Sequence, residues 1–141
     1  MTTLAEVLFE YLSNDGPIAA LVQDPTTNEM CIYPMRLREK CHIPAISWQR
    51  IDAERLYTFD SYADTAAWVR ARVQFNCWGH TYDAADELGN AVLLALSGYD
   101  NEFIGSSFAI NELDTYEADP KKFRRILDFR ITYEDDLVAA S

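Results

Sequence analysis

The most regular feature of this chain is an alternation. Across residues 67–78, Val69, Ala71, Val73, Phe75 and Cys77 are apolar, and the positions between them, Arg70, Arg72, Gln74 and Asn76, are polar. Successive side chains of a strand point to opposite faces, so this period of two predicts a strand with one buried and one polar face, as in an antiparallel sheet. The pattern returns at residues 123–133, where Phe123, Arg125, Leu127, Phe129, Ile131 and Tyr133 share a face. Between the two lies a helical period: Leu88, Ala91, Val92, Ala95 and Leu96 form one apolar stripe. Thr81 is placed to cap that helix, Asp83, Asp86 and Glu87 sit near its positive end, and Gly98 is placed to terminate it.

The N-terminus repeats the helical signal. Thr3 followed by Glu6 reads as a capping box, Leu4, Val7, Leu8, Tyr11 and Leu12 fall on one face, and Asn14-Asp15-Gly16-Pro17 ends the helix. Residues 18–22 predict a further helical turn or two, and residues 24–28 a turn. Residues 30–34 read as a short strand, and residues 45–51 as another, with Ile46, Trp48 and Arg50 opposed to Ala45, Ser47, Gln49 and Ile51. The alternation in this strand leaves its buried face open. Residues 55–59 read as an edge segment. Residues 103–116 favour β structure but contain Gly105, Ser106 and Ser107, which predicts a bent strand or an ordered excursion. Pro120 and Lys121 mark a turn, and the segment after Glu134 is expected to fray. No repeat, linker or low-complexity tract divides the chain, so residues 1–141 are read as one domain. Strands outnumber helices without strict alternation, which predicts an α+β fold: a mostly antiparallel sheet with one long helix and an N-terminal helix packed on one face.

Charge narrows the function classes. Twelve basic against 23 acidic residues leave a formal net charge of -11. Nucleic-acid backbones and anionic membrane surfaces are bound by basic residues, so both are disfavoured as partners. The longest apolar runs are too short to span a bilayer, and the first residues lack the pattern of a secretory signal. Three cysteines, Cys31, Cys41 and Cys77, fit free thiols in a cytoplasm.

Candidate chemistry is sparse. Cys41-His42 and Cys77-Trp78-Gly79-His80 contain the chain's thiol and imidazole groups, which a zinc ion or a thiol nucleophile would need. There is no Cys-x-x-Cys pair, and Cys77 lies on the apolar face of its strand, where a thiol packs as a small hydrophobe. The glycines form no phosphate-binding pattern, and acidic runs such as Glu134-Asp135-Asp136 match no calcium loop. No catalytic residue, metal ligand or cofactor is therefore expected. Trp48 and Trp68 are expected in or at the edge of the core. Trp78 falls on the polar side of its strand, as a contact anchor or as a ring covered by the following helix. Arg70 and Arg72 read as solvated strand residues able to pair with carboxylates of a neighbouring copy.

Three segments in order carry a family resemblance: Ile43-Pro44-Ala45-Ile46-Ser47-Trp48-Gln49-Arg50-Ile51; Val73-Gln74-Phe75-Asn76-Cys77-Trp78-Gly79 leading into Thr81-Tyr82-Asp83-Ala84-Ala85-Asp86; and Phe123-Arg124-Arg125-Ile126-Leu127-Asp128-Phe129-Arg130-Ile131-Thr132-Tyr133. Their order and spacing resemble the tail-completion (tail-terminator) proteins of long-tailed bacteriophages and related phage-like particles. The chain departs from that pattern at Gly79, where a small residue such as alanine is expected, at His80, and in residues 35–42, which lack an expected glycine.

The resemblance implies a non-enzymatic virion protein that forms a homo-oligomeric ring, commonly a hexamer, on the head-proximal end of the tail tube. Such a ring ends tube polymerisation and offers a docking surface to the head connector or stopper protein, while DNA passes through its lumen without specific binding. The protein would be made in the host bacterial cytoplasm and reside in the neck of the virion, with no cofactor and no membrane. An acidic lumen suits DNA passage, because attraction would hold the phosphate backbone. Arg70, Arg72, Gln74, Asn76 and Trp78 on the polar-faced strand, and Asn111, Glu112 and Asp114 in the stretch 99–116, are the interface candidates. A head-completion or stopper protein is the alternative within this class. A small metal-binding or thiol enzyme using Cys41, His42, Cys77 and His80 is the alternative outside it.

Overall fold

The computed structural model describes residues 3–37, 40–56, 66–117 and 122–136, and of residues 66, 67, 135 and 136 the backbone alone. Its centre is the strand with the cleanest alternation, here β3 (Ala66–Gly79), flanked on one side by β2 (Ala45–Leu56) and on the other by β5 (Lys122–Asp136). β1 (Ile32–Pro34) lies outside β2 and β4 (Ile104–Glu117) outside β5, giving the order β1-β2-β3-β5-β4. Three pairings are antiparallel, but β1 runs parallel to β2, so the sheet is mixed.

Three helices accompany the sheet: α1 (Leu4–Asn14), α2 (Gly16–Val22) and α3 (Tyr82–Leu96). Each begins on a side-chain cap that satisfies an otherwise unpaired backbone N–H. Thr3 Oγ1 accepts from Glu6 N–H at 3.2 Å, Asp15 Oδ1 from Ile18 at 3.2 Å and Thr81 Oγ1 from Ala84 at 3.1 Å. Gly98, just past the Ser97 cap of α3, has a φ of 73°, a left-handed conformation that glycine adopts without steric cost.

The odd-numbered side chains of β3 and β5 build the core. Val69, Ala71, Val73, Phe75 and Cys77 pack with Leu127, Phe129, Ile131 and Tyr133, and with Leu8, Leu12, Ile18, Leu88, Val92 and Leu96 from the helices. Phe75 and Phe129 meet edge to face, with centroids 5.6 Å apart. In β2, Ile46 and Trp48 pair with Cys77 and Phe75 and are buried, which resolves the face that the alternation left open. The even-numbered positions of β3 and β5 form the opposite face of the sheet, away from this core.

The structure extends several elements beyond their sequence patterns. β2 runs unbroken through Arg55 and Leu56, with a register shift between Arg50 and Asp52; residues 57–59 of the expected edge segment lie outside the described residues. Residues 103–116 become mostly strand β4, with register shifts at Ile104/Ser106 and Ala109/Asn111. Those irregularities explain why its alternation was illegible. β5 continues to Asp136, and residues 137–141 of the segment expected to fray lie outside the described residues, as do Pro120 and Lys121 of the expected turn.

Gly79 joins β3 to α3 with almost no slack. A Cβ built there would lie 2.6 Å from the backbone nitrogen of Ala85, so an alanine does not fit this junction. We predict that Gly79→Ala lowers unfolding stability by about 2 kcal/mol, the usual scale of a forced overlap. Gly16→Ala, where nothing lies within 4 Å, should be nearly neutral. Urea denaturation of both variants checks this.

Candidate assembly surface

The polar face of β3 is more occupied than the alternation implied. Arg72 forms an ion pair with Asp128 at 2.8 Å, and Gln74 Nε2 donates to the same carboxylate at 3.2 Å. Asp128 is 2% exposed, so this pair fixes the middle of the sheet from the side away from the helices. The hydrogen bond to Asp128, and then its charge, hold the Arg72 guanidinium above its ordinary pKa. Arg70 pairs with Glu54 across the β2–β3 ladder at 3.0 Å. Arg70 and Arg72 were read as solvated residues open to a neighbour's carboxylates; both meet carboxylates of their own sheet.

Trp78 also finds partners within the chain. Its indole N–H donates to Ser47 Oγ at 3.0 Å, and the Arg124 guanidinium sits 5.1 Å from the ring centroid. The ring packs with Cys31, Ile43 and Ala45 on the side away from α3, so α3 does not cover it. Trp48 is buried in the core, and Trp68 is 41% exposed with its ring over Gly105.

β4 forms one edge of the sheet, and from Phe108 onward it is largely exposed on both faces. Asn111, Glu112 and Asp114 lie here. So do four exposed apolar side chains: Phe108 at 57%, Ile110 at 46%, Leu113 at 53% and Tyr116 at 53%. An edge strand with free backbone groups and apolar side chains is a template for pairing with another chain.

One ion cluster ties this edge to the body. Arg125 lies on the core face of β5, where its side chain is 9% exposed. Its guanidinium Nε donates to Asp114 of β4, and its Nη2 to Asp86 of α3 at 2.5 Å. The bond to Asp114, reinforced by the one to Asp86, raises the Arg125 pKa above its ordinary value. Its aliphatic stem crosses α3 at Gly89, where a Cβ would come within 2.7 Å of Arg125 Cγ. Tyr82 Oη donates to Asp114 at 3.3 Å, and Tyr82, Phe123 and Tyr116 form an aromatic group beside the cluster. Asp114 was an interface candidate; Arg125 and Asp86 were not recognised. The legible signal was an arginine among apolar residues on an alternating strand.

The thiols and imidazoles do not converge. Cys77 is buried in the helix-side core, whereas Cys41 packs with Trp78 against the cluster on the opposite face. Among the described residues no three His, Cys, Asp or Glu side chains are arranged to hold a metal ion, and no helix is long and apolar enough to cross a membrane. Burial pushes the Cys77 thiol up to about 12, against the weaker opposing influence of Arg125. A nucleophilic cysteine needs the reverse.

A family model described as tail completion protein gp17 matches residues 6–134. The chain belongs to that family. As a member it is a structural protein of a phage-type virion tail. The fold is also similar to that of a chain in a solved structure described as the virion of a native gene transfer agent (GTA) particle, with a TM-score of 0.69 and 17% identity over 91% of this chain and 92% of that one. At that identity the likeness establishes the fold. No curated protein sequence matches.

Two outcomes are expected. Arg125→Ala should cost about 2 kcal/mol in urea denaturation: less than the roughly 3–5 kcal/mol of breaking a fully buried pair, because Asp86 and Asp114 are 40% and 45% exposed and hydrate once freed. Alkylation of the native chain near neutral pH, read by mass spectrometry, should leave Cys77 unlabelled, and urea should expose it.

Proposed function

We propose that this tail completion protein caps the head-proximal end of the tail tube as a homo-oligomeric ring, a hexamer in the family resemblance, and thereby ends tube polymerisation and joins tail to head. The observation that carries this reading is β4: a 14-residue strand at the sheet edge, with no further strand beyond it among the described residues, exposing Phe108, Ile110, Leu113 and Tyr116. A monomer gains nothing from such an edge, whereas a neighbour that covers it removes apolar surface from water and pairs its backbone.

The contact surface we assign comprises Asn111, Glu112 and Asp114 on β4, with Arg70, Arg72, Gln74, Asn76 and Trp78 on the open face. The first group meets a neighbour directly. In the second, the internal pairs of Arg70 and Arg72 hold those side chains in fixed positions, so they present a preformed polar surface. Other partners in this reading are the tail tube protein and the head connector or stopper. The formal net charge of -11 suits a lumen through which DNA slides without being held. No catalytic step and no cofactor enter this reading.

Electron microscopy of particles assembled without this gene product tests the reading. Overlong, headless tubes are the expected result. Tails of normal length beside filled, detached heads would assign the chain a joining role in the neck instead, and intact infectious particles would refute an assembly role.

A further inference from the structure

The charges of this chain are sorted by layer. α1, α2 and α3 contain no lysine or arginine, and their acids include Glu6 and Glu10 of α1 and Asp83 and Glu87 of α3. The even-numbered positions of β3 and β5, on the opposite side of the sheet, carry Arg70, Arg72, Lys122, Arg124 and Arg130. Arg70, Arg72 and Arg124 each meet a carboxylate, those of Glu54, Asp128 and Glu117. Arg130 is different. It is exposed, meets no carboxylate among the described residues and stands directly across the ladder from Arg72. Like charges directly opposite each other destabilise a strand pair. Apolar surface adjoins it on the same face: Phe108 lies across the β4–β5 ladder from Arg130, and Leu113 lies across from Ile126.

The outer face of α3 is the complement of this patch. Asp83, Glu87, Asn90 and Leu94 are exposed and follow one another at helical spacing along one stripe. Asp83 and Glu87 meet no cation among the described residues. Leu94 is 85% exposed, more than any other large apolar side chain described. The spacings agree. At about 1.5 Å per residue, Leu94 lies about 10 Å from Glu87 and about 16 Å from Asp83 along the helix. At about 3.3 Å per residue, Ile126 lies about 13 Å from Arg130 along β5. α3 packs on the core side of its own sheet, so its outer face and the open face of that sheet point in opposite directions and meet only between molecules. A nucleic-acid backbone suits the open face less, because Glu54, Glu117 and Asp128 are interspersed with its arginines.

We propose that the outer face of α3 from a second copy of this chain docks on the open face of the sheet, with Glu87 against Arg130 and Leu94 against Leu113 and Ile126. The two surfaces differ, so the contact is heterologous, and a contact of that kind gives a ring when its rotation closes. The inference rests on the self-assembly reading above and names the surfaces that carry it.

Light scattering of the full chain over a concentration series tests it. The wild type is expected to form a discrete oligomer. Arg130→Glu and Glu87→Lys, both at exposed positions, should each raise the concentration of half-assembly at least about tenfold, because like charges then meet across the contact, while circular dichroism stays unchanged. The two substitutions together restore opposite charges and should bring that concentration back to within about threefold of the wild type, the coupling that a double-mutant cycle reads. A wild-type chain that stays monomeric at every concentration overturns the proposal, as do single variants that assemble like the wild type or a double variant that shows no rescue. So does an oligonucleotide whose binding Arg130→Glu abolishes while Glu87→Lys leaves assembly untouched. The two readings separate: oligomers indifferent to both substitutions keep self-assembly and lose this contact, whereas mutual rescue in solution, beside intact particles that lack the protein, keeps the contact and loses the capping role.

Discussion

Arg125 is the point on which this architecture turns. The core face of the sheet is apolar along most of β3 and β5, and helix packing there needs no special chemistry. Near the start of β5 the apolar stripe gives way to an arginine, and that single side chain reaches Asp86 on α3 and Asp114 on β4. Gly89 exists in the middle of a helix to let its stem pass. The outer part of β4 gains little from helix packing, so its attachment depends on the ladder to β5, on this ion cluster and on the Tyr82–Phe123–Tyr116 group. A cluster of this type contributes more to placement than to stability, because desolvation offsets much of the Coulomb attraction.

The division of labour across the sheet follows. The helix side is buried and apolar, and the two residues most suggestive of chemistry in the sequence separate onto different faces: Cys77 enters the core and Trp78 the opposite side. The open side is polar but pre-paired, with Arg72, Gln74 and Asp128 locked to one another. Side chains held in this way lose less conformational freedom when another protein covers them, which favours a rigid joint over an adaptable one.

Much of this was legible because it is local. The alternation of β3 and β5, the caps at Thr3 and Thr81 and the stop at Gly98 each depend on residues a few positions apart. What escaped is non-local. The parallel pairing of Ile32 with Ile46 is decided by chain direction between two strands, which no residue pattern encodes. Asp86, Asp114 and Arg125 are distant in sequence and become one group only when α3, β4 and β5 come together. The face of Trp78 was read correctly, but whether α3 covered it depended on tertiary packing. β4 was ambiguous because its two register shifts break the period on which strand recognition depends. Which charges of the candidate surface pair within the chain could be read only from the fold.

The register shifts in β4 have a geometric consequence. A flat, uninterrupted edge of this length with exposed Phe, Ile and Leu side chains would accept strands without limit and grow into fibrils. Each bulge adds local twist and breaks the spacing of the free N–H and C=O groups. An incoming strand that is straight runs out of alignment within a few residues, whereas one with matching curvature does not. If β4 is the docking edge proposed above, its bend restricts the partners it can accept to strands of matching curvature, and shape as well as chemistry limits association.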